Sequence, residues 1–373
     1  MARSAVLSAL VLGLSLVAAC AKNTAATSTI STGGGDTGGL GGLGGGEGGA
    51  DPCECVPGHH SEVIYVLSSE GEIWSYDPVA NTFEYSTTLL CAGITPPYSM
   101  AVDHRGQAWV LSAGTNLIFN VDLQSAPDTC TKSVYTPYQA DFDLFGMAFA
   151  AEDTPAACPR LYVMSYSGDG EFSEGPGIGS LGVIEPATGD LTVLGPTSYD
   201  GGELTGTGNG RLFALAGVNP AKLVEYDKKT AEPLSTTPLT GLNKTNASAL
   251  AFFGGAIYFF TEAEGQNCDE CLAAHCGSAL DACLSDPVCA EALACAKSAG
   301  DISDECGGLM PVELQSCMAG PCVDDCFIPP SLKVSQVSKL VLGQSGPPEV
   351  AHPQAPIRIV GAGTSPCVPT VAK

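Results

Sequence analysis

Cysteine is the residue whose number and spacing in this chain promise the most chemistry. The 373 residues include 17 cysteines, more than a reducing cytosol tolerates unless a metal holds the thiols, so the choice lies between disulfides and metal ligation. Ten of them fall within residues 266–330: Cys268, Cys271, Cys276, Cys283, Cys289, Cys295, Cys306, Cys317, Cys322 and Cys326. Cys268-x2-Cys271 and Cys322-x3-Cys326 have spacings that suit zinc or an iron–sulfur cluster. An even count with otherwise irregular spacing points instead to five disulfides, provided the chain leaves the cytosol. Six more cysteines, Cys53, Cys55, Cys91, Cys130, Cys158 and Cys367, again make an even set.

The remaining cysteine decides the compartment. Arg3 precedes an apolar run over residues 5–19, shorter than a comfortable membrane span, as in a signal peptide. The run ends Leu16-Val17-Ala18-Ala19-Cys20. This resembles the bacterial lipobox, which implies cleavage before Cys20 and lipid chains on that residue. Acyl chains would anchor the protein in a bilayer by roughly 0.8 kcal/mol per buried CH₂. Residues 20–52 then form a lipidated Gly-rich tether whose small side chains cannot offset its ordering entropy; its ends would lie about 30 Å apart. The expected location is the bacterial cell envelope, lipid-anchored, in the outer membrane.

Other reactive side chains are sparse. His59, His60, His104, His275 and His352 are scattered, and the adjacent pair is expected in solvent at the end of the tether. Neither a Gly-x-Ser-x-Gly elbow nor a His-Glu-x-x-His helix occurs, so no catalytic residue is assigned. Asp103, Glu203, Asn209 and Asn246 are the side chain types that a calcium-dependent, lactonase-like hydrolase would need at a central channel. That is the rival reading; no cofactor is otherwise expected, and Ca²⁺ would be the one to test. Forty acidic against 15 basic residues give a formal charge of -25, which excludes nucleic acid as a partner.

The elements that must position these residues repeat along the chain. An aromatic-centred strand recurs at Tyr65, Trp109, Tyr162, Phe213 and Tyr258, at intervals of 44, 53, 51 and 45 residues. After each of the first four comes a second strand and a turn rich in Asp, Pro or Gly, and small-residue strands such as Ser99–Asp103, Gly146–Ala150 and Ser248–Phe252 precede most units. A period near 45 residues built from short strands predicts a mainly β chain folded as a β-propeller of five or six blades. The first unit lacks an innermost strand, which the chain's end, after Pro356, is expected to supply. Cys91 and Cys130 then fall after equivalent outer strands and are expected to bridge neighbouring blades, while Cys367 is expected to join Cys53 or Cys55 where the ring closes.

The propeller is expected over residues 53–265 and 331–373, interrupted at 266–330 by a disulfide-rich all-α insert. Ala- and Leu-rich stretches, with Pro287 and Pro311 at first turns, predict three or four short helices there. The insert holds eleven acidic residues and the single Lys297, so its surface would suit Ca²⁺ or a basic partner. A second long connection, residues 165–180, falls at the equivalent place in the third unit, so both should project from one face beside the central opening.

Taken together, lipobox, Gly-rich tether, propeller and cysteine-rich helical insert resemble the β-propeller lipoproteins of myxobacteria and related predatory bacteria. The resemblance implies export, anchoring and a propeller, and carries no catalytic residue with it. The function expected is a binding or scaffolding module for an envelope protein, a glycan or another ligand.

Overall fold

The computed structural model describes residues 53–56, 58–124, 126–153, 157–167, 173–217, 220–245, 247–263, 268–299, 306, 308–326, 334–344 and 346–371. The expected signal peptide, the expected tether and Cys20 lie outside the described residues, as does Asn246. Five four-stranded antiparallel sheets form a five-bladed propeller. Blade 1 takes its inner strand from the end of the chain and is ordered β20 (Ile359–Gly363), β1 (Ile64–Ser68), β2 (Glu72–Asp77), β3 (Thr82–Thr88). Blade 2 runs β4 (Pro97–Val102), β5 (Gln107–Ser112), β6 (Ile118–Asp122), β7 (Ala126–Lys132). Blade 3 runs β8 (Leu144–Ala150), β9 (Arg160–Tyr166), β10 (Glu174–Ile184), β11 (Leu191–Tyr199). Blade 4 runs β12 (Glu203–Gly206), β13 (Leu212–Ala216), β14 (Lys222–Tyr226), β15 (Pro233–Pro238). Blade 5 runs β16 (Ser248–Phe253), β17 (Ala256–Glu262), β18 (Ser335–Val341), β19 (Glu349–His352).

The count settles at five blades because β20 pairs with β1, Tyr65 opposite Gly363 and Val66 opposite Ala362. Each inner strand packs on the next around the ring, in the order β20, β4, β8, β12, β16 and back to β20. Five blades draw these strands so close that side chains hardly fit between them. A Cβ on Gly146 would lie 2.1 Å from the carbonyl oxygen of Gly202, and one on Gly361 would lie 3.0 Å from the amide of Met100. This is why the innermost strands are written in Gly, Ala and Ser.

The recurrent aromatic strands are β1, β5, β9, β13 and β17. Each is covered on both faces, because a blade lies between two neighbours, so its residues form an unbroken apolar run rather than an alternating one. β17 buries all seven of its residues. Outer strands such as β15, exposed along its whole length, carry the polar residues. The Asp residues of the turns act as expected: Asp77 Oδ1 accepts the amides of Val79 and Ala80 at 2.7 and 3.0 Å, and Asp227 Oδ1 those of Lys229 and Thr230 at 2.7 and 3.1 Å.

The segment 165–180 is only partly a loop. β10 begins at Glu174, which pairs with Tyr199, so the β10–β11 hairpin extends past the blade, with an irregularity between Glu174 and Gly179. Gly177, at φ 72°, makes that kink possible.

Between β17 and β18 lies the helical insert. It contains α1 (Cys268–Leu284), α2 (Pro287–Ala299), α3 (Val312–Met318) and α4 (Val323–Cys326). Three nested disulfides, Cys268–Cys326, Cys271–Cys322 and Cys276–Cys317, join α1 to the α3–α4 segment like rungs. Cys283–Cys289 ties α1 to α2, and Cys295–Cys306 fixes the far end of α2. In the body, Cys55 takes Cys367, Cys53 reaches Cys158 on the β8–β9 connection, and Cys91 joins Cys130 on β7. Sequence alone had left Cys367 open between Cys53 and Cys55.

Candidate functional site

At the N-terminal ends of the inner strands, all five blades contribute to one axial pocket of about 270 Å³. Blade 1 supplies Ser69, Arg358 and Val360; blade 2 Pro96, Pro97 and Tyr98; blade 3 Tyr166; blade 4 Gly202 and Glu203; blade 5 Lys244, Thr245 and Ser248. The same backbone rule places them all. An inner strand starts at this face and the second strand ends there, so a side chain at either terminus points toward the axis rim.

Glu203, the first residue of β12, is 8% exposed. Its Oε2 accepts a 3.0 Å hydrogen bond from Ser99 Oγ, which in turn accepts the amide of Met147 at 3.2 Å. The Ser99 hydroxyl is wholly buried and committed to tying blades 2, 3 and 4 together. Lys244 is also buried, and its Nζ donates to the carbonyl of Gly201 at 3.2 Å. Asp200 accepts the amide and hydroxyl of Ser167, at 2.8 and 2.5 Å. Tyr98 and Tyr166 stack with ring centroids 6.2 Å apart and planes 8° from parallel. Arg358 donates to Glu262 Oε1 at 2.7 Å from both Nε and a terminal nitrogen.

Burial governs the electrostatics. It raises the Glu203 carboxyl well above the ordinary carboxylate range, against the opposing pull of the Lys244 ammonium and the Ser99 hydroxyl. It lowers the Lys244 ammonium, against Glu203 and then Asp200. It also raises the Tyr98 phenol well above its usual value, with Glu203, Tyr166 and Asp200 adding to the effect. The pocket therefore holds a carboxyl and an amine that both sit closer to neutrality than they would in water. That is a donor and acceptor set for a polar group, framed by two aromatic rings.

Both long connections leave from this rim. β9 ends at Tyr166, followed by Ser167 on Asp200; β17 ends at Glu262, bound to Arg358, and the insert follows. The expectation that they share one face is met by the strand directions.

The lactonase-like set does not converge. Glu203 opens β12 at the pocket, whereas Asp103 follows β4 and Asn209 follows β12, at the other ends of the inner strands. Asp103 Oδ1 is occupied by the amides of Arg105 and Gln107, at 2.8 and 2.9 Å, and Asn209 Oδ1 by the Thr207 hydroxyl at 2.6 Å. Among the described residues, the His, Cys, Asp and Glu group close enough to share an ion is Cys276, Cys317 and Cys322, and their sulfurs are bonded in disulfides. The expected solvent-exposed His59-His60 pair is half right. His59 stays exposed, edge-on to Tyr65 at 6.4 Å, but His60 is 0% exposed, and burial lowers its pKa. His104 is buried, His275 is exposed on α1, and His352 lies against the edge of Phe83.

Of the pocket residues, the sequence had pointed only to Glu203. Tyr98, Tyr166, Asp200, Lys244 and Arg358 lie on different blades and share no spacing. The available signal was positional: each sits at, or within four residues of, the start of an inner strand or the end of a second strand.

No protein-family model matches the chain, and no curated protein does. Among solved structures it is similar to a streptogramin B lyase, at 16% identity and TM-score 0.32, with 55% of this chain and 63% of that one covered. The virginiamycin B lyase of Staphylococcus aureus matches at 17% identity and TM-score 0.31 over 55% and 64% of the two chains. A Dos1 propeller matches at 8% identity and TM-score 0.33 over 54% and 51%. The chain thus spans less than two thirds of the length of each. At these identities and TM-scores no activity carries over, and the propeller rests on the pairing of this chain's own five sheets.

Proposed function

We propose that the protein is a lipid-anchored binding module of the bacterial cell envelope, whose propeller presents the axial pocket and the helical insert on one face to a basic partner protein. One observation carries this reading. Five blades converge on a pocket that buries Glu203 and Lys244 beside the stacked Tyr98 and Tyr166 rings, on the face from which both long connections leave. A buried charged group is costly, and a fold keeps one where recognition needs it. The formal charge of -25 and the acidic insert favour a partner of opposite sign, with a Lys or Arg side chain entering the pocket beside the Tyr166 ring toward Glu203. Cys20 and the Gly-rich tether would hold the propeller off the membrane.

The test uses the full chain and two fluorescent decapeptides, one of alternating Lys and Gly and one of alternating Glu and Gly, followed by anisotropy. The basic peptide should bind, weaken as salt rises, and lose at least tenfold in affinity with Glu203→Gln combined with Tyr166→Ala. Equal binding by that double variant would reduce the effect to diffuse surface charge and overturn the pocket. The anchoring part is checked by Cys20→Ser, which should move the protein from the membrane fraction to the soluble one.

A further inference from the structure

The helical insert holds a cluster of sulfur atoms in which two disulfides meet. Cys276, Cys317 and Cys322 place their Sγ atoms within 4.8 Å of one another. They belong to two different bridges, Cys276–Cys317 and Cys271–Cys322. A small side-chain movement therefore brings a sulfur of one bridge into contact with a sulfur of the other. The backbone also admits a different pairing. The amide of Cys322 donates to the carbonyl of Cys317 at 3.1 Å, across the turn between α3 and α4. That bond keeps the two Cα atoms no more than about 7 Å apart, within the reach of a disulfide.

Exposure gives an exchange between these bridges a direction. Cys271 is half-buried, and its Sγ lies 3.7 Å from the carbonyl oxygen of the exposed Pro321, so it is the sulfur of its bridge that a thiolate from outside reaches. Cys322 is 0% exposed and Cys317 7%. Cys276 is half-buried at a kink in α1, where its φ is -139°, and beside it Gly277 has nothing within 4 Å of its would-be Cβ. A thiolate released at Cys322 carries its charge inside the insert's apolar cluster, where burial disfavours it. One released at Cys276 sits at the surface.

We propose that Cys271 is a thiol-accepting site, and that the two bridges behind it pass the released thiolate from the interior out to Cys276. An incoming thiolate attacks Cys271 Sγ, forming a mixed disulfide and breaking the bond to Cys322, which takes the electron pair. Cys322 Sγ then attacks Cys317 Sγ, forming Cys317–Cys322 and releasing Cys276 as the thiolate. One S–S bond forms for each that breaks, so the incoming thiol is the only co-reactant. At a bridge without such a neighbour the released thiolate has only the mixed disulfide to attack, and the bridge re-forms. The insert's eleven acidic residues against the single Lys297 favour a thiol carried in basic surroundings. The site is separate from the axial pocket in residues and in chemistry, and it does not depend on the function proposed above.

The experiment incubates the full chain in oxygen-free, mildly alkaline buffer with one equivalent of a thiol probe. The probes are glutathione and a decapeptide of alternating Lys and Gly in which one Gly is replaced by Cys. Iodoacetamide then caps free thiols, and peptic digests are mapped by mass spectrometry. Adduct at Cys271 should exceed that at the exposed Cys55 and Cys295. In chains that carry it, alkylation at Cys276 should exceed alkylation at Cys322 at least tenfold. Cys276→Ala combined with Cys317→Ala removes the receiving bridge and should move the alkylation to Cys322. Faster reaction by the peptide assigns the site to a protein cysteine in basic surroundings, and faster reaction by glutathione to a small free thiol. Alkylation that stays at Cys322 in the wild-type chain would overturn the proposal. So would a Cys271 that takes no adduct, or adduct spread evenly over Cys55, Cys271 and Cys295.

Discussion

In the propeller, β17 buries Ile257, Tyr258, Phe259 and Phe260 between neighbouring blades, and the cores are built from such aromatic and branched side chains. In the insert, the buried cluster consists of Cys, Leu, Ala and Met, with no aromatic residue among those described and with seven cysteines in it. The first region gets its stability from area removed from water, roughly 25 cal/mol per Å². The second is too small to bury much area and relies on crosslinks that restrict its unfolded chain. One chain thus uses two means of holding a shape, and each region should fail under a different insult.

The sharpest way to break that contrast is reduction. With excess thiol at neutral pH, the insert should lose its helices entirely, while the propeller keeps its strands. Both tryptophans, Trp74 and Trp109, lie on propeller strands and report on the body alone. Far-ultraviolet circular dichroism should lose its helical component with tryptophan emission unchanged. Helices that survive full reduction would mean that packing, not crosslinking, holds the insert.

The converse insult is steric. Gly146→Val places a branched side chain where even a Cβ would meet the Gly202 carbonyl at 2.1 Å, and should cost the propeller about 3 kcal/mol or more. Gly277, beside the kink at Cys276 in α1, has nothing within 4 Å of its would-be Cβ, so Gly277→Ala should be tolerated, with a change within about 0.5 kcal/mol. Urea denaturation of the two variants decides the matter. A Gly146→Val protein as stable as wild type would show that the inner strands can part, and the tight five-blade ring would need another explanation.

This difference also explains what could be read in advance. The body's repeat was visible because every blade needs the same strand, covered on both faces, and therefore rewrites the same aromatic run at Tyr65, Trp109, Tyr162, Phe213 and Tyr258. Ring closure by β20 was visible as a deficit, since the first unit had no small-residue strand of its own. Pairing within the insert was not visible, because a helix brings residues from distant turns together and ten cysteines allow many combinations. The axial pocket was the least legible part. Glu203 stood out as a carboxylate near an inner strand, but Tyr98, Tyr166 and Lys244 meet it only through the ring's geometry, which no local spacing records.

Crosslinks exist in the body as well, where they should matter less than packing does. Cys55–Cys367 spans a sequence separation of 312, so the loop-entropy account would assign it a large share. The β20–β1 pairing already closes the ring, however, and the crosslink is redundant with it. Cys55→Ser combined with Cys367→Ser should cost about 2 kcal/mol, with the cooperative transition preserved. Loss of the folded state in that variant would make the body as dependent on covalent closure as the insert, and would erase the distinction between them.

A final effect, read as a dependence on pH, asks what the body's packing can carry. Burial holds the Glu203 carboxyl above its ordinary pKa, so the folded protein keeps that proton at pH values where the unfolded chain has lost it. The folded state then binds more protons than the unfolded one. Stability attributable to Glu203 is complete below the ordinary carboxylate range and falls as pH rises toward the raised value. Glu203→Gln abolishes this titration. It also removes the negative charge that helps Lys244 stay protonated, which lets the folded protein release the Lys244 proton earlier and again favours the variant as pH rises. Relative to wild type, the variant should therefore gain stability between pH 4 and pH 7, on the order of 1 kcal/mol for each pH unit of displacement of the Glu203 pKa. Parallel urea titrations at the two pH values measure it. A constant difference between the two proteins across that interval would mean that Glu203 ionises normally, and the pocket would be a solvated notch in the rim instead of a buried polar site that the surrounding blades hold in place at a cost.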